Sequence, residues 1–160
     1  MRVFLLFLCA LTLATPSHSA NYNPTPRSAV VLRVSDGDTL RVREGRQETR
    51  IRLYGIDAPE SRQPGGPEAT EYLKDLLLTE AVTITTFDVD KYGREVALVE
   101  LRGQSVQEVL LERGLVWVYT KYCKASFCGR WKGIEGKARE RKVGLWKDGS
   151  AVEPWVWRKR

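Results

Sequence analysis

Residues 29–44 read AVVLRVSDGDTLRVRE, apolar and polar side chains alternating on both sides of Asp36-Gly37-Asp38. A period of two marks a strand with one buried face. Asp-Gly supplies a tight turn, because glycine reaches positive φ without a steric penalty. The stretch therefore reads as a hairpin, with strands over 29–35 and 39–44. It also puts two carboxylates at the turn of a chain whose net charge is +6 and whose pI is near 9.4.

Working outward, QETRIRLYGI (47–56) reads as a third strand, with Arg50 and Arg52 on one face and Ile51 and Leu53 on the other. RQPGGPEATEYLKDLLLTE (62–80) starts as a loop and becomes a helix. Pro67 suits the first helical turn, Glu68 favours the positive end of the dipole, and Ala69, Tyr72, Leu73, Leu76 and Leu77 form the apolar stripe. AVTITTFD (81–88) and EVALVEL (95–101) are further strands joined by VDKYGR. A helix over 105–113 opens on a capping box, Ser105 with Glu108, and stops at Gly114. LVWVY (115–119) reads as extended, and a basic helix over about 130–142 stops at Gly144. Three strands, a helix and two strands is the order of the OB-fold, a five-stranded Greek-key barrel that commonly binds oligonucleotides. The expected class is mainly β with flanking helices (α+β).

The first twenty residues, MRVFLLFLCALTLATPSHSA, carry Arg2, an apolar run over 3–13 and then small and polar residues. That layout predicts a secretory signal peptide cut after Ser19 or Ala20, its apolar core too short to span a bilayer. Leu and Phe before Cys9 speak against a lipoprotein. The expected organisation is a signal peptide over 1–20, a Pro-rich lead-in over 21–28, one domain over 29–147 and a basic Trp-containing tail over 148–160. Loss of Arg2 leaves a charge of +5, which favours polyanions such as nucleic acid, anionic lipid or acidic polysaccharide. No second long apolar run suggests a membrane span. Cys123 and Cys128 in YCKASFC read as a disulfide of an exported protein. The rival, a zinc pair, lacks a second Cys/His cluster, since the sole histidine is His18.

Asp38 opens the second strand, and Asp57 follows the third in YGIDAPES. Carboxylates from neighbouring strand ends, with a backbone carbonyl nearby, make a site for a hard cation such as Ca2+, weak until a substrate phosphate joins it. Glu60, beyond the stiffening Pro59, stands where a carboxylate takes a proton from water. Arg52 and Arg94, the latter in DKYGR, suit bidentate contact with a phosphoryl group gathering charge. Each residue alone also fits a plain turn or a solvated face. Together they form a set for in-line attack on a phosphodiester.

DGDTLRV, RIRLYGIDAPES and DKYGR, in this order and spacing, resemble the staphylococcal nuclease (thermonuclease) family over roughly residues 30–146. The resemblance implies an OB-fold barrel and a calcium-dependent endonuclease. Such an enzyme cuts DNA and RNA, single-stranded or denatured by preference, and leaves 3′-phosphates. By position it makes Asp38 and Asp57 calcium carboxylates, Ala58 a ligand through its main-chain carbonyl and Asp36 an outer-shell acid. Arg52, Glu60 and Arg94 become the catalytic residues, and Lys91 and Tyr92 contacts to a terminal phosphate. Tyr119 and Tyr122 lie where the family stacks a base. The loop after Glu60 is shorter than in the best-known member. Trp155 and Trp157 would share a face of an extended tail, and the basic run over 130–142 is either a solvated helix face or a phosphate-attracting one. The expected protein is a monomer, exported to a periplasm or secreted. The alternatives are a non-catalytic OB-fold module binding single-stranded nucleic acid, and a structural or adhesion protein.

Overall fold

The computed structural model describes residues 25–160, so the signal peptide expected over 1–20 lies outside the described residues. The hairpin forms as read: β1 (Arg27–Asp36) pairs antiparallel with β2 (Thr39–Glu44), and β2 with β3 (Gln47–Leu53). Val31 faces Val42 and Leu40 faces Ile51, all on the buried side. After β4 (Ile56–Asp57) and α1 (Gly66–Leu77), β5 (Ala81–Val89) pairs with β1, and β6 (Glu95–Leu101) pairs with β5. β6 then runs parallel to β3, Arg52 beside Val96, and this pairing closes a five-stranded barrel of β1, β2, β3, β5 and β6. β7 (Gln104–Ser105), α2 (Val106–Glu112), β8 (Trp117–Val118), α3 (Cys128–Glu140) and α4 (Pro154–Trp157) follow.

The barrel interior is Val31, Leu40, Val42, Ile51, Leu53, Ile84 and Val99, sealed by Leu73 and Leu77 of α1 and Leu110 and Leu111 of α2. Each such side chain contributes roughly 1.5–3 kcal/mol by leaving water. Buried Gln107 fixes α2 to β6 by donating to the Ala97 carbonyl (3.0 Å) and accepting from the Val99 N–H (3.3 Å). The Ser105 hydroxyl caps α2 by accepting from the Glu108 N–H. Among the described residues, no helix is long and apolar enough to cross a membrane.

Four expectations change. The third strand stops at Leu53, because Gly55 turns the chain at φ +69° and presses against the Cys123 sulfur and Trp131. Ile56 and Asp57 resume as β4 against β8, so the extended stretch expected over 115–119 contracts to two residues. α3 begins ahead of residue 130, at Cys128, where the Cys123–Cys128 disulfide (Cα–Cα 5.8 Å) ties its start to the preceding loop. The tail is not extended: Pro154–Trp157 is a helical turn, in which Trp155 and Trp157 point apart. That turn rests on a second apolar cluster of Trp117, Ala138 and Trp146, against which Trp155 packs.

Candidate active site

Closure of β3 onto β6 determines where the chemistry sits. Arg52 pairs with Thr39 on one side and Val96 on the other, so the β1–β2 turn and the start of β6 meet at one rim. In that turn the Asp38 N–H donates to the Asp36 carboxylate (3.1 Å). Gly37 is needed for space, not for positive φ: a Cβ there would lie 2.8 Å from the Cβ atoms of both Ala58 and Ala69. The turn is thus clamped beneath β4 and α1, which drives the Asp38 side chain inward.

Asp38 and Asp57 are 2% and 1% exposed, a burial that carboxylates tolerate only with hydrogen bonds and counter-charge. Asp38 accepts from the Ala58 N–H (2.7 Å) and the Thr39 hydroxyl (3.2 Å), and pairs with Nη1 of Arg52. Nη2 of the same guanidinium donates to Asp57 Oδ1 (2.6 Å). One arginine therefore bridges both acids. Burial pulls the Arg52 pKa below its ordinary value, with Asp57 and then Asp36 opposing that shift and Arg94 adding to it.

Glu60 stands on the coil leading to α1. Gln63 organises that coil: its side-chain oxygen accepts from the Glu60 N–H (3.1 Å), and its own N–H donates to the Glu60 carbonyl (2.8 Å). Gly66 passes so close that a Cβ would sit 2.0 Å from the Glu60 carbonyl oxygen. The Glu60 side chain is 41% exposed, open to water at the rim.

Sequence reasoning missed one member of this cluster. Arg158, in the tail, donates through Nη2 to Asp57 Oδ2 (2.6 Å) and through Nη1 to Glu60 Oε1 (2.5 Å). Burial lowers its pKa, but hydrogen bonds to Asp57 and Glu60 outweigh this and leave it above the ordinary guanidinium value. No spacing signals it, since its partners lie 101 and 98 residues away. Gln63, which the sequence shows only as part of a loop, also donates its amide to the Val152 carbonyl (2.5 Å).

The remaining candidates lie around this centre. Arg94 does not touch the acids; its Nε donates to Asp90 Oδ2 (2.7 Å). Desolvation raises the Asp90 pKa, yet hydrogen bonds from the N–H and side chain of Arg94 and the N–H of Tyr92 hold it below the usual carboxylate value. Lys91 and Arg94 lie 5.0 and 5.5 Å from the exposed Tyr92 ring. Tyr119 is stacked by Trp155 (centroids 4.8 Å, planes 7° apart), while exposed Tyr122 meets it edge-on. The structure thus gathers Asp36, Asp38, Arg52, Asp57, Ala58 and Glu60, and sets Arg94, Lys91 and Tyr92 on the adjoining hairpin.

The donor chemistry of Asp38 and Asp57, buried oxygens on either side of Arg52, suits a hard cation. Among the described residues no third carboxylate, histidine or cysteine joins them as a ligand group. A cation here would add backbone and substrate oxygens, and would share Asp57 with its guanidinium partners. A cleft among Tyr72, Arg113, Ile134 and Arg141 holds none of these residues.

Residues 50–148 match the family model described as "Staphylococcal nuclease homologue". An "uncharacterized endonuclease" of Escherichia coli O157:H7 is 40% identical over 131 residues, 81% of this chain and 84% of that protein. A "micrococcal nuclease" of Shigella flexneri is 36% identical over 138 residues, covering 81% of this chain and 79% of its own. A "staphylococcal-like nuclease" of Arabidopsis thaliana is 41% identical over 110 residues, 69% of this chain and 33% of that longer protein. Asp38 lies outside the family-model match, and the closed barrel is what brings it to Asp57. With the match spanning more than half of the sequence on an OB-type barrel, the chain belongs to the staphylococcal nuclease family, and its activity is that of a nuclease.

Proposed function

We propose that the protein is an exported, calcium-dependent endonuclease that hydrolyses DNA and RNA with little sequence preference and leaves 3′-phosphate ends. The observation that carries this reading is the rim cluster: Arg52 bridging Asp38 and Asp57, with Glu60 one coil away and open to water. Asp38, Asp57 and the Ala58 carbonyl would hold Ca2+, with Asp36 behind them. When bound, the ion supplies positive charge to the phosphate and lowers the pKa of water. Glu60 takes the proton from the attacking water. Arg52, once it shares Asp57, turns its N–H groups to the phosphate oxygens as their charge grows. Arg94 joins it by exchanging Asp90 for phosphate, and Lys91 and Tyr92 receive a neighbouring phosphate. Tyr122, and Tyr119 with its stacked Trp155, offer ring faces to bases. The Cys123–Cys128 bond supports an oxidising compartment, periplasmic or extracellular.

The mature protein with denatured DNA should give short 3′-phosphate fragments in calcium and intact DNA in excess EGTA. Intact DNA in both, with tight strand binding, would favour the non-catalytic OB module.

The substrate path supports the same reading. Arg33, Arg41 and Arg50 are directly opposed across β1, β2 and β3 on the exposed face, and Arg52 follows two residues beyond Arg50. Like charges placed opposite one another destabilise a sheet unless an anion relieves them. Among the described residues the row has one acidic neighbour, Glu48, 3.5 Å from Arg41. A polyanionic strand fits it. The double variant Arg41→Gln/Arg50→Gln should weaken binding of a long single strand and flatten the log K against log [salt] slope by about 1.4, the release from two phosphates. An unchanged slope, read by fluorescence anisotropy in EGTA, would remove the row from the path.

A further inference from the structure

We infer that Arg158 is a positioning residue of the active site: its forked guanidinium fixes the Glu60 carboxylate against Asp57 in the orientation from which Glu60 works. The inference rests on the nuclease reading above and adds to it a residue far along the chain from every motif of the barrel.

The tail reaches the rim by contacts that do not involve Arg158. Gln63 holds the Val152 carbonyl, Pro154 is buried, and Trp155 lies flat on Tyr119. The helical turn α4, closed by the Arg158 N–H donating to the Pro154 carbonyl (3.0 Å), then directs the Arg158 side chain back over the site. The docked tail is the scaffold, and the guanidinium is what it delivers.

The delivery is specific. Two nitrogens of one rigid plane join the acids: Nη1 donates to Glu60 Oε1 and more weakly to Asp57 Oδ1 (3.4 Å), while Nη2 donates to Asp57 Oδ2. A planar fork sets both the spacing and the relative tilt of the carboxylates it joins. Glu60 needs such a partner. It sits on a coil, its side chain is long and half-open to water, and among the described residues its carboxylate has no other hydrogen-bond partner. Asp57 is held by Arg52 as well, so loss of Arg158 leaves Asp57 in place and sets Glu60 loose. The same cation offsets the repulsion between the two like charges, which otherwise pushes Glu60 away from the reacting centre.

The test is steady-state cleavage of a defined single-stranded oligonucleotide by wild type, Arg158→Ala and Arg158→Lys, with and without added guanidinium ion. Amide hydrogen exchange over residues 152–157 serves as a readout independent of activity. The expected result is a fall in kcat of about 10- to 100-fold for Arg158→Ala, the usual effect of removing a partner that orients a site carboxylate. KM should stay within about twofold, because the strand is gripped elsewhere. Millimolar guanidinium should restore part of kcat in Arg158→Ala and none in wild type. Arg158→Lys should stay well below wild type, since one ammonium does not span both acids. Exchange over 152–157 should be unchanged, the tail remaining docked through Trp155.

A kcat for Arg158→Ala equal to wild type would overturn the inference. A kcat above wild type would also overturn it, making the tail a plug on the site. Loss of kcat that guanidinium does not relieve, together with a released tail, would reduce Arg158 to a structural anchor. An inactive wild type would strike the nuclease reading itself, and this inference with it.

Discussion

Glu60→Gln lowers kcat on denatured DNA by about 10²- to 10⁴-fold, the range supplied by a positioned acid–base group, and leaves the fold unchanged. The substitution is isosteric and removes only the ability to take a proton. The coil that carries residue 60 is organised through backbone groups, the Glu60 N–H to Gln63 Oε1 and the Glu60 carbonyl to the Gln63 N–H, and glutamine keeps both. The amide oxygen still accepts from Arg158, so the side chain stays where it was. Thermal unfolding should therefore shift little while turnover collapses. A variant that turns over within a few-fold of wild type would remove Glu60 from the chemistry and leave water activation to another group.

Gly66→Ala should damage stability and activity together, from a position that bears no side chain. A Cβ at 66 would lie 2.0 Å from the Glu60 carbonyl oxygen and 3.2 Å from that of Pro59, both backbone atoms that no rotamer change relieves. Either α1 shifts outward or the coil from Pro59 to Gly66 opens, and in both cases Glu60 moves. Overpacking against rigid neighbours costs about 3 kcal/mol, a fall in Tm of roughly 10 °C for a domain of this size. Gly133→Ala is the matched control. It lies within α3 with nothing near its would-be Cβ, and it should raise stability by about 0.5–1 kcal/mol through helix propensity. Equal melting temperatures for the two variants would show that the close approach at Gly66 relaxes without cost.

These outcomes depend on features with very different visibility in the sequence. The hairpin over residues 29–44 was plain because a two-residue period states which face is buried, and Val31, Leu40 and Val42 obey it. The site acids followed from it: Asp38 and Asp57 sit at strand ends that the OB order brings together. The reason for glycine at 37 was not visible, because it lies in Ala58 and Ala69, which reach the turn only after folding. The break at Gly55 likewise depends on Cys123 and Trp131 filling the space beside it. Arg94 read correctly as part of a hairpin turn, but its engagement with Asp90 in place of the site acids is a matter of side-chain choice that spacing does not express. Arg158 had only composition to announce it. EPWVWRKR looked like a basic tail, and a pairing across 101 residues leaves no local pattern.

The parallel seam between β3 and β6 has a consequence for the order in which the molecule is made. The β1–β2–β3 meander is local and forms with small loop-closure cost, whereas Arg52 meets Val96 only after a chain of 44 residues closes on itself. The tail reaches Asp57 after a longer excursion still. Arg52 thus meets the acids of the β1–β2 turn within the meander itself, whereas the seam to Val96 and the docking of Arg158 need progressively longer closures. By loop length the completed rim is expected to trail the meander, because its last partner closes the longest excursion.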